Sequence, residues 1–565
     1  MITLRRSMNI TSSNDMMSPV ILSRRLQFNL GMQLAALHVS TSRTMIAQGG
    51  CARVPFQVPG ISSNFYDTLG GYRRQFGESP VRIHKLMTGG SRVSAIQEFW
   101  QRRHKGVETA EEWVWTCLTA IASHNARLNA IKELNPYAMG LAQTADRTYG
   151  QGAVGPLHGV PIVVKDNVAV QSDMHTTAGS LALAEAYATG EAFIVRKLRA
   201  AGAIILGKTN LTEWANFMAD HMPNGYSALG GQVLNPYGPG VFDVGGSSSG
   251  SGAAVAAGMA PVAIGTETSG SILSPSSQNS LVGIKPTVGL VSRAGIIPIA
   301  YSQDTAGPMA KTVADAALVL SVLQGYDSAD PVTAMAPGYP DYVRDLDPQG
   351  LRQVRIGVPR HIYWDDTTDE ERALFEQALD LMRRHGATII DPADIDTAGA
   401  DWTYDVLLYE FRVAVNAYLA QWLQGGPRTL QEVIAFNSSH PAKALKYGQA
   451  VLIESEGTQG RLTDARYLRA RHQDLIWSRQ EGIDRTLARH DLDALVFLGA
   501  KGADIAARAG YPSVTVPLGY TREGRPLAMT FTGSAFQEAR LIRMAFAFEQ
   551  ASQARRDPQK PRLTV

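Results

Sequence analysis

Apolar and polar positions settle into regular periods from about residue 94 onward. Residues 109–125 place Trp113, Cys117, Ile121 and Ala122 near helical spacing, which predicts an amphipathic helix. Residues 156–164 read as a turn followed by a short apolar strand, Val160-Pro161-Ile162-Val163-Val164. A helix over 192–201, a stop at Gly202 and a strand over 203–206 come next. Helix-then-strand order returns at 370–384 and 387–390. Further strands are predicted at 493–498 and 514–517, ahead of a late helix at 538–550. Such alternation predicts an α/β fold, a sheet with helices on its faces. No internal repeat is visible, and no Pro/Ser/Gly linker long enough to separate domains follows residue 94. Residues 327–351, rich in Asp, Pro and Gly, predict a surface loop. The helix-rich, more polar stretch 365–479 predicts a cap over a sheet built by its flanks.

Composition narrows the classes. A chain of 565 residues with 45% hydrophobic and 18% charged residues is globular and can bury a large core. A net charge of +2 points away from a nucleic-acid or membrane surface. No run of about eighteen apolar residues marks a transmembrane helix. The two cysteines, Cys51 and Cys117, support neither a disulfide framework nor a zinc site. Two unpaired thiols is the simplest reading, and one bridge stays open for an exported chain.

Residues 1–50 stand apart. They carry Arg5, Arg6, Arg24, Arg25 and Arg43 against Asp15 alone. Ser23-Arg24-Arg25-Leu26-Gln27-Phe28 resembles a twin-arginine export signal, but Met45-Ile46-Ala47 is a poor cleavage site. A transit peptide, a disordered extension or an early start codon fits the same composition. Localisation therefore stays open between cytoplasm and periplasm. Residues 51–93 give no readable element.

The chemistry concentrates where glycine does. Gly counts 53, and much of the excess falls between residues 225 and 295, a sign of tight turns and close backbone approach. Two Ser/Gly stretches lie there: Gly245-Gly246-Ser247-Ser248-Ser249-Gly250-Ser251-Gly252 and Gly265-Thr266-Glu267-Thr268-Ser269-Gly270-Ser271. No Gly-Lys-Ser/Thr follows the first, so it is not a P-loop. Ser271 after Gly270 is a candidate nucleophile. The sharp turn around it offers the backbone N–H groups of Thr268, Ser269, Gly270 and Ser271 to a developing oxyanion. A serine hydroxyl needs a base. His158 sits in a turn context, whereas Lys165 ends an apolar strand where burial lowers a lysine pKa. A neutral amine accepts protons, and Ser-Lys pairs are a known variant of the catalytic triad. Ser247 is then the relay between Ser271 and Lys165. Alone, each part has an ordinary explanation: a flexible loop, one serine among many, a lysine reaching solvent.

The combination resembles the amidase signature family. The matching segments are His158-Gly159-Val160-Pro161, Val164-Lys165-Asp166-Asn167, Gly207-Lys208-Thr209-Asn210-Leu211-Thr212-Glu213-Trp214 and the two Ser/Gly stretches through Ile272. Val282-Gly283-Ile284-Lys285-Pro286-Thr287-Val288-Gly289-Leu290, Ser302-Gln303-Asp304-Thr305-Ala306-Gly307-Pro308 and residues 509–517 continue it. The likeness spans about residues 94–556. It implies one large α/β domain over 94–565, with a central mixed sheet covered by helices, and a Ser-cis-Ser-Lys triad of Ser271, Ser247 and Lys165. The segments 247–252, 265–268 and 292–298 are most similar to bacterial peptide amidases, which remove a C-terminal amide from peptides.

The resemblance implies a cofactor-free, metal-free hydrolase of small-molecule or peptide amides, acting as a monomer or homodimer. No nucleic-acid or membrane partner is expected. The alternatives are the catalytic subunit of a tRNA-dependent amidotransferase and a non-catalytic binding relative. Trp214, Phe217 and Met218, with Asn216, are candidates for a substrate pocket or for ordinary core packing. Asp304 and Arg293 read as structural. The sequence departs from the family pattern at Glu267 (Asp), Ser269 (Gly), Leu273 (Arg), Ser276 (Ala) and Ser280 (Gly). These departures lie around the oxyanion site.

Overall fold

The computed structural model describes residues 94–559 apart from 153 and 340. The leader reading of 1–50, the segment 51–93 and Cys51 lie outside the described residues. Eleven strands form one sheet. In chain order they are β1 (Ile131–Leu134), β2 (Pro161–Lys165), β3 (Ile204–Thr209), β4 (Val262–Glu267), β5 (Val282–Lys285) and β6 (Thr305–Ala310), then β7 (Arg355–Gly357), β8 (Thr388–Ile390), β9 (Ala494–Leu498), β10 (Ser513–Tyr520) and β11 (Pro526–Thr532). Their order across the sheet is β1-β3-β2-β4-β6-β5-β10-β11-β9-β7-β8. β3, β2 and β4 run parallel, while β6 is antiparallel to both β4 and β5. The sheet is therefore mixed, as expected.

The central strands are buried along their whole length, which is why they read as continuous apolar runs rather than alternating ones. Helices cover them: α1 (Ala110–Leu128), α2 (Phe193–Ala200), α3 (Ser249–Ala256), α4 (Leu273–Gln278), α5 (Val313–Leu323), α6 (Asp405–Trp422) and α7 (Glu538–Ser552). α1 starts with a capping box between Thr109 and Glu112 and buries Val114, Cys117 and Ile121. Its expected partner Ala122 is exposed, and the helix stops at Asn129 with φ 54°. α5 is apolar nearly all round and buried at every residue but Leu318, a signature of a helix inside the core. Each fully buried Val or Leu in these layers contributes about 1.5–3 kcal/mol.

The stretch 365–479 divides. Residues 369–384 form a helix that packs Phe375, Leu379 and Met382 into the main core, and β8 joins the sheet edge. Helix α6 instead builds a second apolar cluster with Leu430, Val433 and Leu452, closed by Trp214, Phe217 and Met218.

Parallel neighbours end at the same sheet edge. The last residue of β2 is Lys165 and the last of β4 is Glu267. Such carboxyl ends are where α/β sheets hold their ligands.

Candidate active site

Lys165 is wholly buried at the end of β2. Burial pulls its amine from 10.5 down to about 7, against the opposing pull of Glu267 and Asp304. Its Nζ lies 2.8 Å from Ser247 Oγ, 2.9 Å from Thr266 Oγ1 and 3.1 Å from the Thr266 carbonyl. The carbonyl only accepts, so it takes one N–H. Asn167 Nδ2 donates to the same Thr266 hydroxyl at 2.9 Å. A neutral amine with its N–H groups directed at Thr266 has its lone pair left for the Ser247 hydroxyl.

Ser247 comes from the loop that enters α3. Gly245 there has φ +70°, and a Cβ on it would meet Pro275 at 2.6 Å, so no larger residue fits. The Gly246–Ser247 peptide bond is cis. Ser248 then ties three segments together. Its hydroxyl donates to the Thr266 carbonyl at 3.1 Å, and its N–H donates to the Ser271 carbonyl at 3.2 Å.

Ser271 follows Gly270, whose φ of +77° makes the turn. At 7% exposure it is the most accessible of the three candidate catalytic side chains, whereas Lys165 and Ser247 are at 0%. The segments carrying all three are thus brought together, although no hydrogen bond joins the Ser271 and Ser247 hydroxyls among the described residues. The oxyanion donor set needs one correction. The Gly270 N–H is already bonded to the Glu267 carboxylate at 2.8 Å, so it is not free to meet an oxyanion. The N–H groups of Thr268, Ser269 and Ser271 have no protein acceptor among the described residues. Thr268 is further fixed by its hydroxyl, which donates to Asp304 at 2.5 Å. Asp304 in turn accepts the N–H groups of Ile299 and Ala300, and burial pushes its carboxyl up to about 6. Arg293 is fully engaged in a bidentate pair with Asp330 and a bond to the Tyr301 carbonyl.

The substrate-pocket candidates Trp214, Phe217 and Met218 are not among the residues that line a small hollow beside Thr266 and Asp304. All three are buried, and the first two pack on Phe411 of α6 with ring centroids 6.1 and 5.0 Å apart. Between them Trp214, Ala215 and Asn216 take three successive left-handed conformations. That turn brings Ala215, which the sequence did not single out, to this hollow with Asn167, Thr266, Thr268, Ile297 and Asp304. The Asn167 Oδ1 has no partner there. Thr266 also escaped the sequence reading. Its place inside the second Ser/Gly stretch was visible, but nothing in the spacing says which way its hydroxyl faces.

His158 stands away from this cluster. Burial, then Arg103, lowers its imidazole to about 4. Among the described residues no group of three His, Cys, Asp or Glu side chains could hold a metal ion, and no helix is long and apolar enough to cross a membrane.

Comparison with known proteins agrees with this geometry. Residues 112–542 match the Amidase family. The chain belongs to the amidase family. The chain is 38% identical over 466 residues to Probable amidase At4g34880 of Arabidopsis thaliana, covering 80% of this chain and 88% of that protein. The crystal structure of the native peptide amidase from Stenotrophomonas maltophilia superposes with a TM-score of 0.78 at 45% identity. That match covers 82% of this chain and 98% of the other. A glutamyl-tRNA(Gln) amidotransferase subunit of Ralstonia pickettii is 33% identical over 484 residues, 79% of this chain and 95% of that one.

Two departures from the family pattern have physical readings in this amidase. Ser280 sits at φ +53°, a conformation glycine adopts freely, and its hydroxyl bonds that of Tyr520 at 2.6 Å. Leu273 is fully buried at the start of α4, so the position offers no charge to a substrate.

Proposed function

We propose that this amidase hydrolyses the terminal carboxamide of peptides through an acyl-enzyme on Ser271. Neutral Lys165 takes the Ser247 proton as Ser247 takes that of Ser271, and Ser271 Oγ attacks the amide carbon. The oxyanion that forms is met by the N–H groups of Thr268, Ser269 and Ser271. The relay returns the proton to the amide nitrogen, the C–N bond breaks and ammonia leaves. Water then attacks the ester by the same route, freeing the acid and restoring the Ser271 hydroxyl. Ser271 must turn toward Ser247 for the first step, a tightening expected when substrate fills the site.

The carrying observation is the contact of a fully buried lysine with a fully buried serine at 2.8 Å. The 45% identity to a peptide amidase supports the peptide substrate class. The test is a panel of peptide, aliphatic and aryl primary amides with ammonia detection, run on wild type and Ser271→Ala. Hydrolysis of aryl or aliphatic amides but not peptide amides would overturn the substrate class and leave the chemistry.

The 33% identity to a glutamyl-tRNA(Gln) amidotransferase chain favours a second reading, in which the ammonia serves a partner enzyme. Turnover of a simple amide by the purified chain, without ATP or partner, separates the two.

A further inference from the structure

Glu267 is the point around which the loop of Ser271 folds. Its Oε1 accepts the Gly270 N–H at 2.8 Å, and its Oε2 accepts those of Ile272 and Leu273 at 2.6 and 3.0 Å. These donors flank Ser271 on both sides and leave its own N–H free. Burial dominates and holds the Glu267 carboxyl above its ordinary value, with Lys285 and the three N–H groups pulling against it. A protonated acid would aim its O–H where N–H donors already converge, so the site suits the carboxylate.

We propose that Glu267 is a positioning residue of this amidase, folding residues 267–273 so that the Ser271 hydroxyl and the N–H groups of Thr268, Ser269 and Ser271 meet one carbonyl. The inference rests on the reading of Ser271 as nucleophile. It has an electrostatic consequence as well. The charged groups facing this part of the site are Lys165, Lys285 and Asp304, and the Glu267 charge favours the protonated form of Lys165. A neutral residue at 267 should therefore shift the titration of Lys165 toward acid, which a purely structural residue would not do.

The test compares Glu267→Gln, Glu267→Asp and Ser271→Ala on one primary amide, reading kcat, KM, the pH profile and the thermal midpoint. In Glu267→Gln an NH2 group must oppose either the Gly270 N–H or the Ile272 and Leu273 pair. We expect kcat to fall about 10²-fold, the cost of small misplacements at a reacting centre, with KM within about threefold. The acid midpoint of the pH profile should move below that of wild type. Glu267→Asp keeps the charge with a shorter reach, so it should hold the midpoint and lose part of kcat. A folded Glu267→Gln enzyme with wild-type kcat and midpoint would overturn the proposal. Should that variant not fold, Glu267→Asp decides: reduced kcat at an unchanged midpoint supports the proposal, and unchanged kcat overturns it. Turnover by Ser271→Ala would instead overturn the nucleophile assignment.

Discussion

Titration of Lys165 should appear directly in the rate. An ordinary lysine amine loses its proton near 10.5, and burial brings this one to about 7. At pH 7 about half of the enzyme then carries a neutral base, against roughly one part in 3,000 for an unperturbed lysine. On this basis kcat/KM for a neutral amide rises about tenfold per pH unit below pH 6 and levels off above about pH 8. The measurement is ammonia release from one primary amide between pH 5 and 9.5 at constant ionic strength. A profile that is flat across this range, or that keeps rising toward pH 10, would refute the reasoning. Stability carries a mark of the same shift. The folded pKa lies below the unfolded one, so between about 7 and 10.5 the unfolded chain binds the extra proton and stability rises with pH. Below pH 7 the buried amine costs about 5 kcal/mol, a figure that shrinks to nothing near pH 10.5. Lys165→Met should therefore abolish turnover and yet raise the thermal midpoint at pH 6. A lower midpoint at pH 6 would contradict the burial cost.

Other outcomes follow from the same contacts. Ser247→Ala should lower kcat by about 10²–10⁴-fold by breaking the proton relay, measured by ammonia release; a rate within threefold of wild type would exclude a relay through this hydroxyl. Phe411→Ala removes the ring on which Trp214 and Phe217 pack and should cost about 3–5 kcal/mol in urea unfolding. If Trp214 and Phe217 lined an open pocket instead, the loss would be far smaller. Gly245→Ala should destabilise the chain by roughly 1–3 kcal/mol or more, since the new Cβ meets backbone at a left-handed position.

The parts of this enzyme that were legible in its sequence are those set by local rules. The helix observed at Ala110–Leu128 was legible from the spacing of Trp113, Cys117, Ile121 and Ala122, of which Cys117 and Ile121 are buried. Lys165, Ser247 and Ser271 stood out because small residues and glycines frame them. The order of the strands was not legible. β6 lies between β4 and β5 although both precede it in the chain, and pairing of distant segments leaves no local period. The direction of single backbone groups was equally hidden. Gly270 looked like an oxyanion donor until its N–H was found on Glu267, three residues back. Trp214, Phe217 and Met218 have the composition of a pocket and of a core alike. Their packing in one cluster with α6, a helix far along the chain, leaves no local trace in the sequence.

The burial of Lys165 also bears on when the protein becomes an enzyme. The loop from Glu267 to Leu273 is held by contacts that span only a few residues. The amine is different, because its low proton affinity exists only once β2 is enclosed by β3 and β4 and by the Ser/Gly loop. On a nascent or partly unfolded chain the same lysine is an ordinary, charged surface cation. Completion of the fold is then itself the step that turns this lysine into a base.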